Sequence, residues 1–176
     1  MLPNHFISAD EQAELQLFTE SLERFCDAEI EPHYRTWEKA GRVPRDLLRK
    51  MGENGYLCAD VPDTYGGPGA SVPFSFAVVE VLSRRGYGGF VGGLQVHNDI
   101  IPPYLLHCGT EAQRQYWLPR IASGEAIAAI GMTEPGAGSD LKAIRTTARR
   151  VSDSDGDHYV INGSKIFISN GQHCDL

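Results

Sequence analysis

The spacing of the apolar side chains changes once along the 176 residues, near residue 125, and the change divides the chain into a helical part and a part made of strands. Upstream, Leu15, Phe18, Leu22, Phe25 and Ile30 follow one another at three-, four- and five-residue steps, so one stripe of a first helix seeks a core. Ser8-Ala9-Asp10-Glu11 opens that helix in the form of a capping box, and Pro32 ends it or starts the next turn. A second, short helix is predicted through Tyr34 and Trp37 to Gly41. A third starts at Pro44, with Leu47, Leu48 and Met51 inward and Gly52 or Gly55 at its end. Residues 56–71 hold too much Gly and Pro for a regular element and read as a structured loop. Val72 to Arg85 reads as a buried helix, because Phe74, Phe76, Val78, Val79, Val81 and Leu82 leave little polar face, and Gly86 stops it. The run Gly88 to Gly93 permits close backbone approach before an apolar segment, Leu94 to Cys108, interrupted by Pro102 and Pro103. Thr110 caps a last helix, Glu111 to Leu118.

Downstream the pattern is that of strands. Ala126 to Ile130 is a short apolar run, followed by the loop Met132 to Asp140. Alternation marks Thr146 to Val151 and His158 to Ile161, with the polar turn Ser152 to Asp157 between them. Asn162-Gly163 predicts a hairpin that returns the chain along Lys165 to Ser169, and Asn170-Gly171 a second turn. Strands that have only begun a sheet leave open edges and an uncovered apolar face. The expectation is therefore a sheet domain that continues beyond Leu176 or is completed by a partner.

Charge and composition exclude several classes. With 16 Lys and Arg against 23 Asp and Glu, a net charge of −7, the chain lacks the basic surface that phosphate-backbone binding needs, so no nucleic-acid partner is expected. No apolar run approaches the roughly 20 residues of a membrane span, and Met1 to Phe6 lacks a basic n-region and an h-region. Cys26, Cys58, Cys108 and Cys174 stand far apart without a C-x-x-C pair, which fits reduced thiols and a cytoplasmic location. The six histidines, His5, His33, His97, His107, His158 and His173, have no ligand spacing. Surface or satisfied-core roles are expected, and no metal.

Pro135-Gly136-Ala137-Gly138-Ser139-Asp140 is the best ligand loop in the sequence. Glycines there let main-chain N–H groups turn toward one point, and the Ser139 hydroxyl adds a neutral donor suited to phosphate, carbonyl or heterocycle edges. The loop is neither a Walker loop nor a dinucleotide fingerprint, and by itself it reads equally as a turn between strands. Glu134 beside it reads as a base, or as a turn acid that faces solvent or pairs with a neighbour.

The company of this loop narrows the choice. Gly131-Met132-Thr133-Glu134-Pro135-Gly136-Ala137-Gly138-Ser139-Asp140, with Asn162-Gly163-Ser164-Lys165-Ile166-Phe167-Ile168-Ser169-Asn170-Gly171 downstream, resembles the two signature segments of the acyl-CoA dehydrogenases. Pro62, Tyr65, Gly66 and Gly67 and the stretch Gly109 to Pro119 are similar to the family as well. Val96-His97-Asn98-Asp99-Ile100 looks most like its long-chain and related bacterial branches. The resemblance implies an α+β chain: an all-α N-terminal domain over residues 1–124, then residues 125–176 as the first strands of an antiparallel, β-barrel-like domain, with the family's C-terminal helical bundle absent. It implies FAD as cofactor, contacted by Ile130, Gly131, Met132, Thr133, Gly138 and Ser139 and, in a second segment, by Phe167, Ile168 and Ser169. Thr133 matches the position that hydrogen-bonds the isoalloxazine edge, and Ser139 the serine that also meets the acyl-CoA thioester arm. Where many relatives have Trp-x-Thr, Phe167 keeps an aromatic wall and Ser169 a hydroxyl for flavin N5.

The activity so implied is α,β-dehydrogenation of a fatty acyl-CoA to a trans-2-enoyl-CoA in fatty acid β-oxidation, with reoxidation by an electron-transfer flavoprotein and a homotetramer at full length. The family's catalytic base is a Glu of the C-terminal domain, so no residue of 1–176 takes the catalytic role, and the isolated chain is expected to be inactive. Gly92-Gly93-Leu94-Gln95 is expected at the end of the acyl pocket, its small residues leaving room for a long chain. Two alternatives remain at this level: an acyl-CoA oxidase or other superfamily member, or a naturally short, non-catalytic chain that binds a partner through its open sheet edge.

Overall fold

The computed structural model describes residues 7–154 and 156–176. Met1 to Phe6, including His5 and the segment weighed above as a leader, and Asp155 of the polar turn lie outside the described residues. Helix α1 spans Ala9–Phe25, and Ser8 Oγ accepts the Glu11 N–H at 3.1 Å. Only that half of the capping box forms, because the Glu11 carboxylate is taken by the hydroxyl of Ser71. The five-residue step from Phe25 to Ile30 has a direct cause. Cys26–Ile30 is a π turn in which the Glu31 N–H reaches back to Cys26 O at 2.9 Å, and both Cys26 and Ile30 are completely buried.

Helix α2, Tyr34–Ala40, ends on Gly41 at φ 72°, and α3, Arg45–Glu53, buries Leu47, Leu48 and Met51 as its spacing predicts. The loop after it folds into the core with Tyr56, Leu57, Cys58, Ala59 and Val61. Helix α4, Val72–Arg84, buries Val78, Val81 and Leu82, but Phe76 is 53% exposed. The expected all-round burial is therefore corrected: α4 lies against α1, where Phe74 meets Phe18 edge-on at 5.2 Å, and its far side is uncovered.

The glycine run after it, for which the sequence assigns no element, is helical. Gly88–Gln95 forms α5, since Phe90, Val91 and Leu94 on its inner face are buried and that burial outweighs the poor helix propensity of four glycines. A π turn, Val96–Ile100, leads into α6, Ile101–Cys108, whose first turn holds Pro102 and Pro103 where no N–H is needed. The last helix, α7, runs Glu111–Ala122 behind a complete Thr110/Gln113 capping box. It passes through Pro119 and beyond the expected end at Leu118, because Ile121 and Ala122 also enter the core.

Glycines set how closely these pieces approach. A Cβ at Gly52 would lie 2.4 Å from the Ser123 carbonyl carbon and oxygen. Gly124, at φ 71°, would place one 2.4 Å from Leu48 O, so the backbones of α3 and of the end of α7 touch. The core continues into Ala126–Ala128, and both Ile127 and Ala128 are completely buried.

Beyond the core, Thr147–Asp153 (β1) and Gly156–Asn162 (β2) pair antiparallel, from Thr147 opposite Asn162 to Asp153 opposite Gly156. Val151 and Val160 are half-buried and the other residues of the ribbon are exposed. Ala126 to Ile130 runs extended but pairs with the end of the chain, Ala129 N–H to Leu176 O at 2.8 Å and Asp175 N–H to Ile127 O at 2.7 Å.

The hairpin expected at Asn162-Gly163 does not form. Gly163 is pressed onto Thr146, where a Cβ would lie 2.1 Å from Oγ1. Lys165 to Ser169 is not a strand, because Ile166 pairs with Thr133 instead of β2 and Phe167 turns to φ 55°. The turn at Asn170-Gly171 does form, closed by the Gly171 N–H on Ile168 O at 3.0 Å. Arg45 straps this region to α3. Its guanidinium donates to His173 O at 2.8 Å and Glu125 O at 2.9 Å, and pairs with Asp175 at 2.5 Å. Among the described residues no helix is long and apolar enough to cross a membrane.

Candidate functional site

The two Gly-rich segments lie side by side, and one carboxylate holds them there. The loop after Ile130 is pinched by reciprocal bonds between Glu134 and Ala137, N–H to O at 2.9 and 3.1 Å. The almost wholly buried Glu134 side chain accepts the N–H groups of Arg145 at 2.7 Å and Thr146 at 2.9 Å, and pairs with Lys165 Nζ at 2.9 Å. Hydrogen bonds from Thr146, Arg145 and Lys165 hold its carboxyl down at about 2. Lys165 also donates to Met132 O at 3.1 Å, and the Ile166 N–H to Thr133 O at 3.0 Å.

Of the two roles the sequence allows Glu134, base or paired acid, the structure shows the second. Glu134→Gln is expected to speed amide exchange at Arg145 and Thr146 by about tenfold, since one of two acceptor oxygens becomes a donor. Unchanged exchange at both amides in an NMR-detected experiment would refute this clasp.

Around the clasp, Phe167 is 89% exposed, Met132, Gly131, Gly138, Ser139 and Ser169 are exposed, and Ile130, Thr133 and Ile168 are half-buried. Among the described residues the hydroxyls of Thr133, Ser139 and Ser169 have no hydrogen-bond partner, so three neutral donors remain available in the two segments that also carry Phe167 and Met132. A cleft of about 410 Å³ opens between Tyr34, Trp37, Phe90 and Gly93 on the helices and Ile168 to His173 on the turn. Ile168 and Ser169 line it, whereas Thr133 and Ser139 do not.

Residues not singled out as site residues by the sequence do much of the positioning. Asn170 Nδ2 donates to Gly93 O at 2.9 Å and Ala128 O at 3.0 Å. His97, wholly buried, donates from Nε2 to Ile121 O at 3.0 Å and accepts the Ala128 N–H on Nδ1 at 3.2 Å, a pattern that requires the neutral ring. Burial pushes its imidazole down to about 4. The satisfied-core role expected among the histidines is thus observed at His97.

Residues 12–125 match the N-terminal domain of acyl-CoA dehydrogenases, and residues 129–176 match their middle domain. The chain belongs to the acyl-CoA dehydrogenase family. It is 40% identical to the mitochondrial long-chain specific acyl-CoA dehydrogenase of Sus scrofa over 93% of this chain and 37% of the relative. It is 37% identical to the short-chain specific acyl-CoA dehydrogenase of Clostridium acetobutylicum over 92% of this chain and 41% of the relative, so overall identity barely separates the two chain-length classes.

Among solved structures, the acyl-CoA dehydrogenase from Geobacillus kaustophilus superposes with a TM-score of 0.86 at 45% identity, covering 97% of this chain and 42% of the other. A glutaryl-CoA dehydrogenase from Mycobacterium smegmatis in complex with FADH2 gives 0.81 at 29% identity, covering 96% and 41%. A chain in the structure of the electron transferring flavoprotein of Acidaminococcus fermentans gives 0.81 at 35%, covering 98% and 43%. The chain therefore spans less than half the length of each of these proteins. The α+β organisation implied by the resemblance is the one observed, a helical part followed by two antiparallel strands.

Proposed function

We propose that this chain supplies the helical domain, residues 1–124, and the opening of the middle domain, residues 125–176, of an FAD-dependent acyl-CoA dehydrogenase that converts a fatty acyl-CoA to its trans-2-enoyl-CoA. The observation that carries this reading is the Glu134–Lys165 clasp, which joins the Met132–Glu134 part of the first segment to Lys165 and Ile166 of the second, with Ser139, Phe167 and Ser169 exposed and Thr133 half-buried. That donor set fits a flavin. Hydroxyls at Thr133 and Ser169 suit the N and O edge of a heterocycle, the Phe167 ring and Met132 offer apolar cover for its face, and the N–H groups of Gly131 and Gly138 carry no side chain in the way. When bound, the flavin supplies the two-electron acceptor for the reaction.

In this reading Thr133 and Ser169 orient the ring by hydrogen bonds, Phe167 excludes water from one face, and Ser139 meets the thioester arm of the acyl-CoA. The α5 glycines adjoin the acyl end of the site. No carboxylate of this chain is given the base: Glu134 is ionised and fully engaged, and Asp140 Oδ1 is occupied by the Lys142 N–H at 3.2 Å. Reoxidation by an electron-transfer flavoprotein and assembly as a tetramer are what the family resemblance implies, and the Acidaminococcus fermentans likeness supports the first; a cytoplasmic location rests on the four separate, unpaired cysteines.

The purified chain is expected to hold FAD weakly or not at all and to show no turnover with octanoyl- or palmitoyl-CoA and an artificial electron acceptor. Substantial turnover would overturn the assignment of the base outside residues 1–176. The dehydrogenase reading itself is tested on the product of the complete reading frame that contains this chain. Acyl-CoA should bleach its flavin absorbance anaerobically, and a protein that binds no flavin would sink the reading.

A further inference from the structure

We propose that Gly93 and Asn170 form the joint that positions the Phe167 to Ser169 segment against the helical domain, so that Gly93 is a seat for an amide rather than only a small residue at the end of an acyl pocket. The inference takes its purpose, though not its test, from the flavin reading of Phe167 to Ser169.

The segment needs such a joint. Phe167 and Asn170 both have left-handed backbone, φ 55° and 64°, and Ile166 is the last residue before them to pair with the Met132-Thr133 loop. From Phe167 to Gly171, the bonds that reach the rest of the fold among the described residues come from one group, Asn170 Nδ2. It donates to Gly93 O at 2.9 Å on α5 and to Ala128 O at 3.0 Å in the buried extended run. Two carbonyls from two distant parts of the chain thus converge on the two hydrogens of one amide, which only a donor can satisfy.

Gly93 O also accepts the Val96 N–H where α5 passes into its π turn. The approach is close enough that a side chain on Gly93 would push the Asn170 amide aside. A Cβ on Gly93 would lie 2.7 Å from Asn170 Oδ1, while Gly88 and Gly92 on the same helix would meet nothing within 4 Å. Of these three glycines, Gly93 is the one that the contact requires.

The expected behaviour of three variants separates a donor joint from a mere turn. Asn, Asp and Gly all tolerate a left-handed backbone, so if Asn170 serves only the turn, Asn170→Asp and Asn170→Gly should both be mild. If the amide hydrogens matter, Asn170→Asp should be the worst, because a carboxylate would then face the carbonyls of Gly93 and Ala128. Gly93→Ala should raise the intrinsic helix propensity of α5 and yet loosen the turn.

The readout is amide exchange in the flavin-free chain at Gly171 and His173, whose N–H groups close the turn on Ile168 O and Asn170 O. Exchange should speed by about tenfold or more for Asn170→Asp, less for Asn170→Gly, and measurably for Gly93→Ala, with circular dichroism unchanged. Asn170→Asp no worse than Asn170→Gly, or Gly93→Ala protecting these amides, would overturn the proposal. Should Asn170→Asp fail to fold, Asn170→Gly and Gly93→Ala decide on the same amides. FAD titration of the same variants addresses the other question. Made in the product of the complete reading frame, where flavin binding is expected, variants that bind FAD as the wild type does would leave the joint standing and remove the flavin role of Phe167 to Ser169.

Discussion

Gly124→Ala should lower the unfolding free energy by about 3 kcal/mol or more, because two costs fall on one methyl group. The residue sits at φ 71°, where an L side chain costs of order 1–3 kcal/mol, and the new Cβ would lie 2.4 Å from Leu48 O and 2.8 Å from the Arg49 nitrogen. Neither atom can yield easily, since both belong to the backbone of α3. Gly52→Ala attacks the same contact from the other side and should be comparably severe. Gly41 and Gly86 have similar φ values, 72° and 80°, but a Cβ on either meets nothing within 4 Å, so their alanine variants isolate the conformational cost at about 1 kcal/mol. Urea unfolding of the four variants ranks them. Gly124→Ala no more damaging than Gly41→Ala would mean that α3 and the end of α7 can part without cost.

The same glycines show what could be read from the sequence. Gly41, Gly55 and Gly86 stop helices, a local matter, and the sequence marks each stop. The caps at Ser8 and Thr110 are equally local. The five-residue step to Ile30 even carried the trace of a π turn. What was not legible depends on partners far away in the chain. Gly52 and Gly124 look like ordinary punctuation until α3 and α7 are laid together. The Gly88 to Gly93 run is a helix only because Phe90, Val91 and Leu94 have a core to enter. At Asn162-Gly163 the favoured turn loses to the contacts of Gly163 with Thr146 and of Ile166 with Thr133.

For the site, the motif residues were identifiable from the resemblance. The residues that seat them, Lys165, Asn170, His97 and Arg45, were not singled out, because nothing in their immediate sequence names the carbonyls and carboxylates they reach.

The second large effect concerns His97. His97→Ala should cost about 3–5 kcal/mol, since it empties a buried site and strips partners from the Ala128 N–H and Ile121 O. The wild-type histidine also makes stability depend on pH. Its folded pKa is lowered from 6.5 to about 4, so the unfolded chain takes up the proton first as the solution is acidified. The contribution is complete above pH 6.5 and is lost as pH falls from there through 4, by about 3 kcal/mol in all.

Asp99, raised to about 6 by burial and then by Asp60, acts with the opposite sign in part of the same range, because ionising it costs more in the folded state. The informative quantity is therefore the difference between wild type and His97→Ala. That gap should narrow steadily between pH 6.5 and 4 in denaturant titrations. A gap that is constant across the range would show that His97 is not held neutral by the fold.

The strap of Arg45 has a consequence for the order of assembly. Its guanidinium bonds reach 80, 128 and 130 residues along the chain. Contacts of that span close the largest loops and come late in folding, after the local helices have formed. On the ribosome, α1 to α7 can collapse while Arg45 still points into water, its carbonyl and carboxylate partners not yet made. The chain that follows Phe167 to Ser169 is tied to α3 only when His173 and Asp175 arrive and are caught. The region that completes the candidate site is thus among the last parts of this chain to leave the unfolded ensemble.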